Sequence, residues 1–155
     1  LAGCHHNGHV VNQDHTKAAE LYRNLADRGI PQAHVVLGRR YEGGEGVDRS
    51  FASAIEWYAK AADQGSEEGR LHINWIGECY YYGNGVFRNY TKAFEWLRKS
   101  AEEGNRYGQR NLGNCYRLGV GVSQNIDTAV FWYRKSTDQG LDGAINHLRN
   151  LGEWP

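Results

Sequence analysis

The residues of this chain that could do chemistry are few: one run of metal-ligand types, one glycosylation-type triplet, three cysteines, and polar side chains recurring at fixed intervals. Cys4, His5, His6 and His9 combine thiolate and imidazole donors of the kind zinc takes. Cys4 and His5 also fill ordinary positions of the repeat described below, so neither a metal nor a cofactor is expected. Asn89-Tyr90-Thr91 satisfies the N-glycosylation sequon, which would require a secretory location. The same asparagine stands where a helix needs a cap, and the cap explains it without a sugar.

Composition narrows the rest. Eighteen basic residues balance eighteen acidic ones, leaving no net field to draw in nucleic acid or an anionic membrane. No apolar run approaches the roughly 20 residues needed to cross a bilayer, and no membrane insertion is expected. With 155 residues and 40% hydrophobic content the chain can bury a continuous core.

The elements that position these side chains are announced by a repeat. Lys17 to Gly29, Ser53 to Gly65, Lys92 to Gly104 and Thr128 to Gly140 are four copies of one amphipathic pattern, with closing glycines 36, 39 and 36 residues apart. That period marks stacked units, each unable to bury its apolar face alone. A second helix precedes the first in each complete unit: Ala33 to Tyr41, His72 to Tyr80 and Gly108 to Tyr116. Leu1 to His5 reads as the tail of such a helix and Ala144 to Leu148 as the start of another, which implies a longer array. Gly-x-Gly-Val turns join the helices at Gly44 to Val47, Gly83 to Val86 and Gly119 to Val122, with Val10 replacing the second glycine in the first copy. Asp14, Ser50, Asn89 and Asn125 follow as N-caps, the closing glycines suit left-handed C-caps, and Pro31 suits a first helical turn.

Ala54, Trp57, Tyr58 and Ala61 share one helical face, which makes Trp57, Trp96 and Trp132 core positions. Trp75 and Trp154 fall outside the pattern. Gly38, Gly77 and Gly113 lie mid-helix, where glycine costs about 1 kcal/mol relative to alanine, so close approach of the partner helix must compensate. Three extra residues before Ile76 predict a local irregularity.

The assembled pattern, A-x-x-x-L-G-x-x-Y-x-x-G-x-G-V, a cap, then K-A-x-x-W-Y-x-K-A-A-x-Q-G, resembles the Sel1-like repeat, a relative of the tetratricopeptide repeat. Residues 31–66, 67–104 and 105–140 match as full units, 1–30 as a partial one and 141–155 as the start of another, together making a single repeat domain over 1–155. The resemblance implies an all-α fold, a right-handed α/α superhelix, and a non-catalytic scaffold or adaptor whose partner is a protein or peptide. In such stacks the first helices line the concave face. The residues implied as partner contacts are Val35, Arg39 and Glu42, then Asn74, Glu78 and Tyr81, then Arg110, Asn114 and Arg117, then Asn146 and Asn150. Asparagines at these positions suit an extended backbone, and the arginines suit carboxylate or phosphate.

Cys4, Cys79 and Cys115 precede the repeat's tyrosine position, which places them roughly 10 Å apart in neighbouring units, beyond the about 7 Å limit for a disulfide. Reduced thiols favour a cytoplasmic, reducing compartment. Cysteine-rich relatives close each unit with a disulfide, and some are linked to β-lactam binding or hydrolysis. A weak hydrolase is therefore one alternative, although no Ser-x-x-Lys motif supports it. A structural spacer for an attached domain, such as a kinase, is another. Leu148, Leu151 and Trp154 would leave an apolar end face open to self-association.

Overall fold

The computed structural model describes residues 3–154, with side chains from residue 13 onward. All regular structure among the described residues is helical. Two compact units, Leu1–His72 and Ile73–Pro155, divide the chain.

The first unit holds α1 (Gly3–Asp27), α2 (Pro31–Gly43), α3 (Phe51–Asp63) and the short α4 (Glu67–Leu71), each packed on the next. Ala26, Ala33 and Leu37 form a core against which Tyr22, Leu25 and Trp57 rest. The second holds α5 (Ile73–Tyr82), α6 (Tyr90–Glu102), α7 (Arg106–Leu118), α8 (Ile126–Asp138) and α9 (Gly143–Asn150), again packed in succession. Its last core cluster joins Ala129, Tyr133, Ala144 and Leu148.

Local chemistry explains the boundaries. Ser50 Oγ, Asn89 Oδ1 and Asn125 Oδ1 each accept the N–H three residues on, at 3.2, 2.9 and 2.9 Å, and so cap α3, α6 and α8. Such caps contribute about 1 kcal/mol each. The backbone N–H of each cap residue in turn donates to the carbonyl of Tyr41, Tyr80 or Tyr116, closing the turn on the helix before it.

The first copy departs from expectation. α1 runs unbroken from Gly3 to Asp27, so there is no turn after Gly8 and Asp14 lies inside a helix instead of capping one. Gly46 and Gly121 adopt φ of 72° and 68° at the second glycine of their turns. Val10 stands at that place in the first copy, and a β-branched residue resists that conformation. Arg40, filling a position held elsewhere by cysteine, ties α2 to this long helix by donating from Nη1 to the His15 carbonyl oxygen at 3.3 Å, and braces its own turn by donating to that of Glu45 at 3.1 Å.

The mid-helix glycines sit where their partner helices come closest. A Cβ at Gly38 would lie 2.5 Å from the Tyr58 ring, one at Gly77 2.7 Å from Leu97, and one at Gly113 2.7 Å from Tyr133. Tyr58, Leu97 and Tyr133 are accordingly almost wholly buried. The aligned tryptophans lie at the edge of the core and not within it: Trp57, Trp96 and Trp132 are half-buried, Trp57 against the Ala26, Ala33 and Leu37 cluster. Lys60, Lys99 and Lys135 lie over their rings at 4.3, 5.4 and 5.3 Å, because a residue one step further round the helix already fills the core. The three-residue insertion breaks its helix in two, α4 ending at Leu71 and α5 starting at Ile73. Ile73 and Ile76 are both fully buried, and the half-buried Trp75 lies between them.

Leu148 is buried by its own chain. Leu151 and Trp154 pack on its cluster, and Arg134 clamps the segment by an ion pair to Glu153 at 3.1 Å. Of the apolar face expected there, Leu148 is fully buried, while Leu151 and Trp154 are half-buried.

Candidate functional site

A cleft of about 230 Å³ opens within the second unit, between the first helices of its hairpins. Leu97 of α6 forms its floor, Glu78, Tyr81 and Tyr82 of α5 one wall, and Asn111, Asn114, Arg117 and Leu118 of α7 the other; His147 of α9 closes one side. Among the described residues lining it there is no serine, threonine or cysteine to act as a nucleophile.

Asn111 organises the polar wall. Its Nδ2 donates to Asn74 Oδ1 at 3.1 Å and to Glu78 Oε1 at 2.9 Å, while its Oδ1 accepts from Arg110 Nε and Nη2 at 3.4 and 3.2 Å. Tyr133 reaches up from α8 and donates its hydroxyl proton to Asn114 Oδ1 at 2.7 Å, accepting from Arg117 Nε at 3.1 Å. Burial raises the Tyr133 phenol, and Arg117 pulls the other way. Side chains from both layers of the stack therefore fix the cleft's hydrogen-bonding groups.

His147 stacks on the Tyr133 ring, centroids 4.9 Å apart and planes 15° off parallel. Burial holds its pKa below the ordinary imidazole value of 6.5, and the cationic Arg117 and Arg110 add to the effect. The folded state thus binds a proton at His147 less readily than the unfolded chain, so stability falls as pH drops below 6.5. Urea midpoints measured at successive pH values should decline over that range, and the decline should be shallower in H147N; equal slopes would remove His147 as the cause.

The residues expected to face a partner divide between the units. Glu78, Tyr81, Asn114 and Arg117 line the cleft, with Asn74 and Arg110 joined to it through Asn111. Asn146 and Asn150 are exposed on α9 outside the lining. In the first unit Arg39 is exposed and pairs with Glu68 at 3.9 Å, a contact worth little in solvent. Glu42 accepts the Tyr58 hydroxyl at 2.7 Å. Val35 is a correction: it is fully buried, turned into the packing instead of a groove. Tyr82, Leu97, Asn111, Leu118 and His147 were missed. Asn111, Asn114 and Leu118 recur at i, i+3 and i+7, so one helical face carries the wall, and counting from Asn114 alone would have found it.

Cys79 and Cys115 are buried and form no disulfide, and burial pushes the Cys115 thiol up to about 11. Among the described residues no group of three or more His, Cys, Asp or Glu is placed to hold a metal. The Cys4, His5, His6 and His9 side chains lie outside the described residues. Among the described residues, no helix is long and apolar enough to cross a membrane.

Successive helical hairpins carrying a polar cleft between their first helices define a helical-repeat protein. Residues 1–30, 31–66, 73–105 and 106–141 match the Sel1 repeat, and the chain belongs to the Sel1 repeat family, whose members are generally protein-interaction scaffolds. It is 40% identical over 61 residues to the chitin synthase regulator SKT5 of Saccharomyces cerevisiae, a match covering 39% of this chain and 8% of that protein. Among solved structures it resembles a protective antigen of uropathogenic Escherichia coli strains displaying an SLR fold, at 37% identity and TM-score 0.71 over 86% of this chain and 28% of that one. A Sel1 repeat protein from Oxalobacter formigenes is 28% identical, TM-score 0.74, over 90% of this chain and 58% of that one. Helicobacter pylori cysteine rich protein B, 23% identical with TM-score 0.58, shares the fold over 89% of this chain and 97% of that one. The chain thus spans less than a tenth of the curated regulator and under two thirds of the first two structures.

Proposed function

We propose that this chain is a protein-interaction module that receives an extended segment of a partner protein along the first-helix face of its second unit. The observation that carries this reading is the Asn111 network, which gathers Asn74, Glu78 and Arg110 beside an apolar floor. Amide side chains present a donor and an acceptor at one tip and can pair with a peptide backbone whatever its sequence. Arg110 and Arg117 add cationic donors for a carboxylate on the partner. The similarity to a regulator in yeast supports a module that acts by binding instead of turning over a substrate.

The test is comparative. Native chain and a variant with Asn74, Arg110 and Asn114 all changed to alanine are used to capture proteins from one lysate, with circular dichroism to establish that the variant folds. Specific partners should be retained by the native chain and depleted at least about tenfold by the variant, the loss expected for two or more net hydrogen bonds. Equal capture by a folded variant overturns the assignment of this face.

A further inference from the structure

The repeat reveals what the cleft lacks. Tyr58, Leu97 and Tyr133 each lie 20 residues beyond the glycine they cover, at Gly38, Gly77 and Gly113, and so hold one repeat position. In the flanking repeats that position is a tyrosine with a stereotyped surround. The Tyr58 hydroxyl donates to Glu42, four residues after Gly38, and its ring stacks on His72 at 3.7 Å. The Tyr133 hydroxyl donates to Asn114, one residue after Gly113, accepts from Arg117, four after it, and the ring stacks on His147.

The corresponding residues of the middle repeat are Glu78, Tyr81 and Asn111, and all three line the cleft whose floor is Leu97. The glycine that leaves room for a ring is retained at Gly77, but the ring is absent. Leu97 takes the place of the ring over Gly77, and being shorter than a tyrosine it leaves open cleft beyond it, beside Glu78 and Tyr81. Its volume, about 230 Å³, exceeds the about 150 Å³ of an apolar protein cavity that binds benzene, so one six-membered ring fits.

We propose that the cleft is a socket for one tyrosine side chain of the partner segment, whose ring rests on Leu97 and whose hydroxyl donates to the Glu78 carboxylate. The partner thereby supplies the phenol that this repeat omits. The inference rests on the groove reading above and deepens it by naming the side chain recognised. The acceptor chemistry matches that of the flanking repeats: a carboxylate receives the Tyr58 proton, and an amide oxygen receives that of Tyr133.

The test uses p-cresol as the probe, titrated into the whole chain carrying 13C-labelled leucine methyl groups and followed by NMR. Saturable shifts are expected at the methyls of Leu97 and Leu118, both of which line the cleft. Toluene, which lacks the hydroxyl, should bind about tenfold or more weakly, as loss of a hydrogen bond to a charged acceptor implies. The variant L97Y, which fills the socket from within and has Gly77 opposite to admit the ring, should abolish the saturable response at the Leu118 methyls, which the variant retains. If L97Y does not fold, L97F occupies the same space and serves in its place. Absence of shifts at Leu97, equal affinity for toluene, or an undiminished response in the filled variant overturns the proposal. The two readings fail separately: partner capture that depends on Asn74, Arg110 and Asn114 with no cresol binding would sink the socket and leave the groove, whereas cresol binding without such capture would do the reverse.

Discussion

Leucine in place of Gly113 will cost the protein several kcal/mol of stability and drop its melting temperature by about ten degrees. The α7 backbone lies so close to α8 that even a Cβ at Gly113 would stand 2.7 Å from the Tyr133 ring. Tyr133 cannot yield cheaply, because it is fully buried, its hydroxyl is held by Asn114 and Arg117, and its far face is stacked on His147. Overpacking a rigid core typically costs about 1–3 kcal/mol, and displacing the hydroxyl adds the penalty of a buried unpaired phenol, roughly 1–3 kcal/mol more. The better helix propensity of leucine returns less than about 1 kcal/mol. Thermal and urea unfolding followed by circular dichroism measure the difference; an unchanged midpoint would mean that the helices can part without cost.

Valine at position 121 will be about as harmful, for a different reason. Gly121 adopts φ of 68°, a region that a β-branched residue reaches only with strain, on the order of 1–3 kcal/mol. Space is lacking as well: a Cβ there would collide with the Tyr90 carbonyl oxygen and stand 2.8 Å from the Phe94 Cβ. The turn of one repeat is thus seated on the first turn of α6, the helix before it in the stack. The two penalties together should lower stability by several kcal/mol, read as a fall in the urea midpoint. Gly104 separates them, because its φ is 87° but no neighbouring atom lies within 4 Å of the place a Cβ would take. G104V should therefore show only the conformational part, and a G121V loss no larger than that of G104V would show that the seat is not tight.

Much of this architecture was legible because each signal has a local cause. Ser50, Asn89 and Asn125 announce helix starts since their side chains satisfy backbone N–H groups within three residues, and the period repeats the announcement. The glycine-to-ring contacts were legible only as close approach, without the identity of the covering residue. The tryptophans misled because helical spacing places Trp57 beside Tyr58 but does not say which of two adjacent side chains points inward; the lysine three residues on marks the outward one. Val35 misled for a different reason: it lies one turn from the exposed Arg39 on the same side of α2, and spacing gives the side without the depth of burial. The Asn111 network escaped notice because it joins residues 33 and 37 positions apart, a pairing set by packing and not by spacing within a helix.

The phenols that reach through the stack also govern how freely its binding face can diversify over generations. Altering Asn114 or Arg117 to suit a new ligand would strand the hydroxyl of Tyr133 beneath them, at about 1–3 kcal/mol, so recognition and stability are coupled there. Leu97 makes no such demand, and Glu78 and Tyr81 above it can drift without stranding a buried hydroxyl. Evolutionary latitude is therefore concentrated at the centre of the second unit, where selection can retune specificity while the scaffold stays intact.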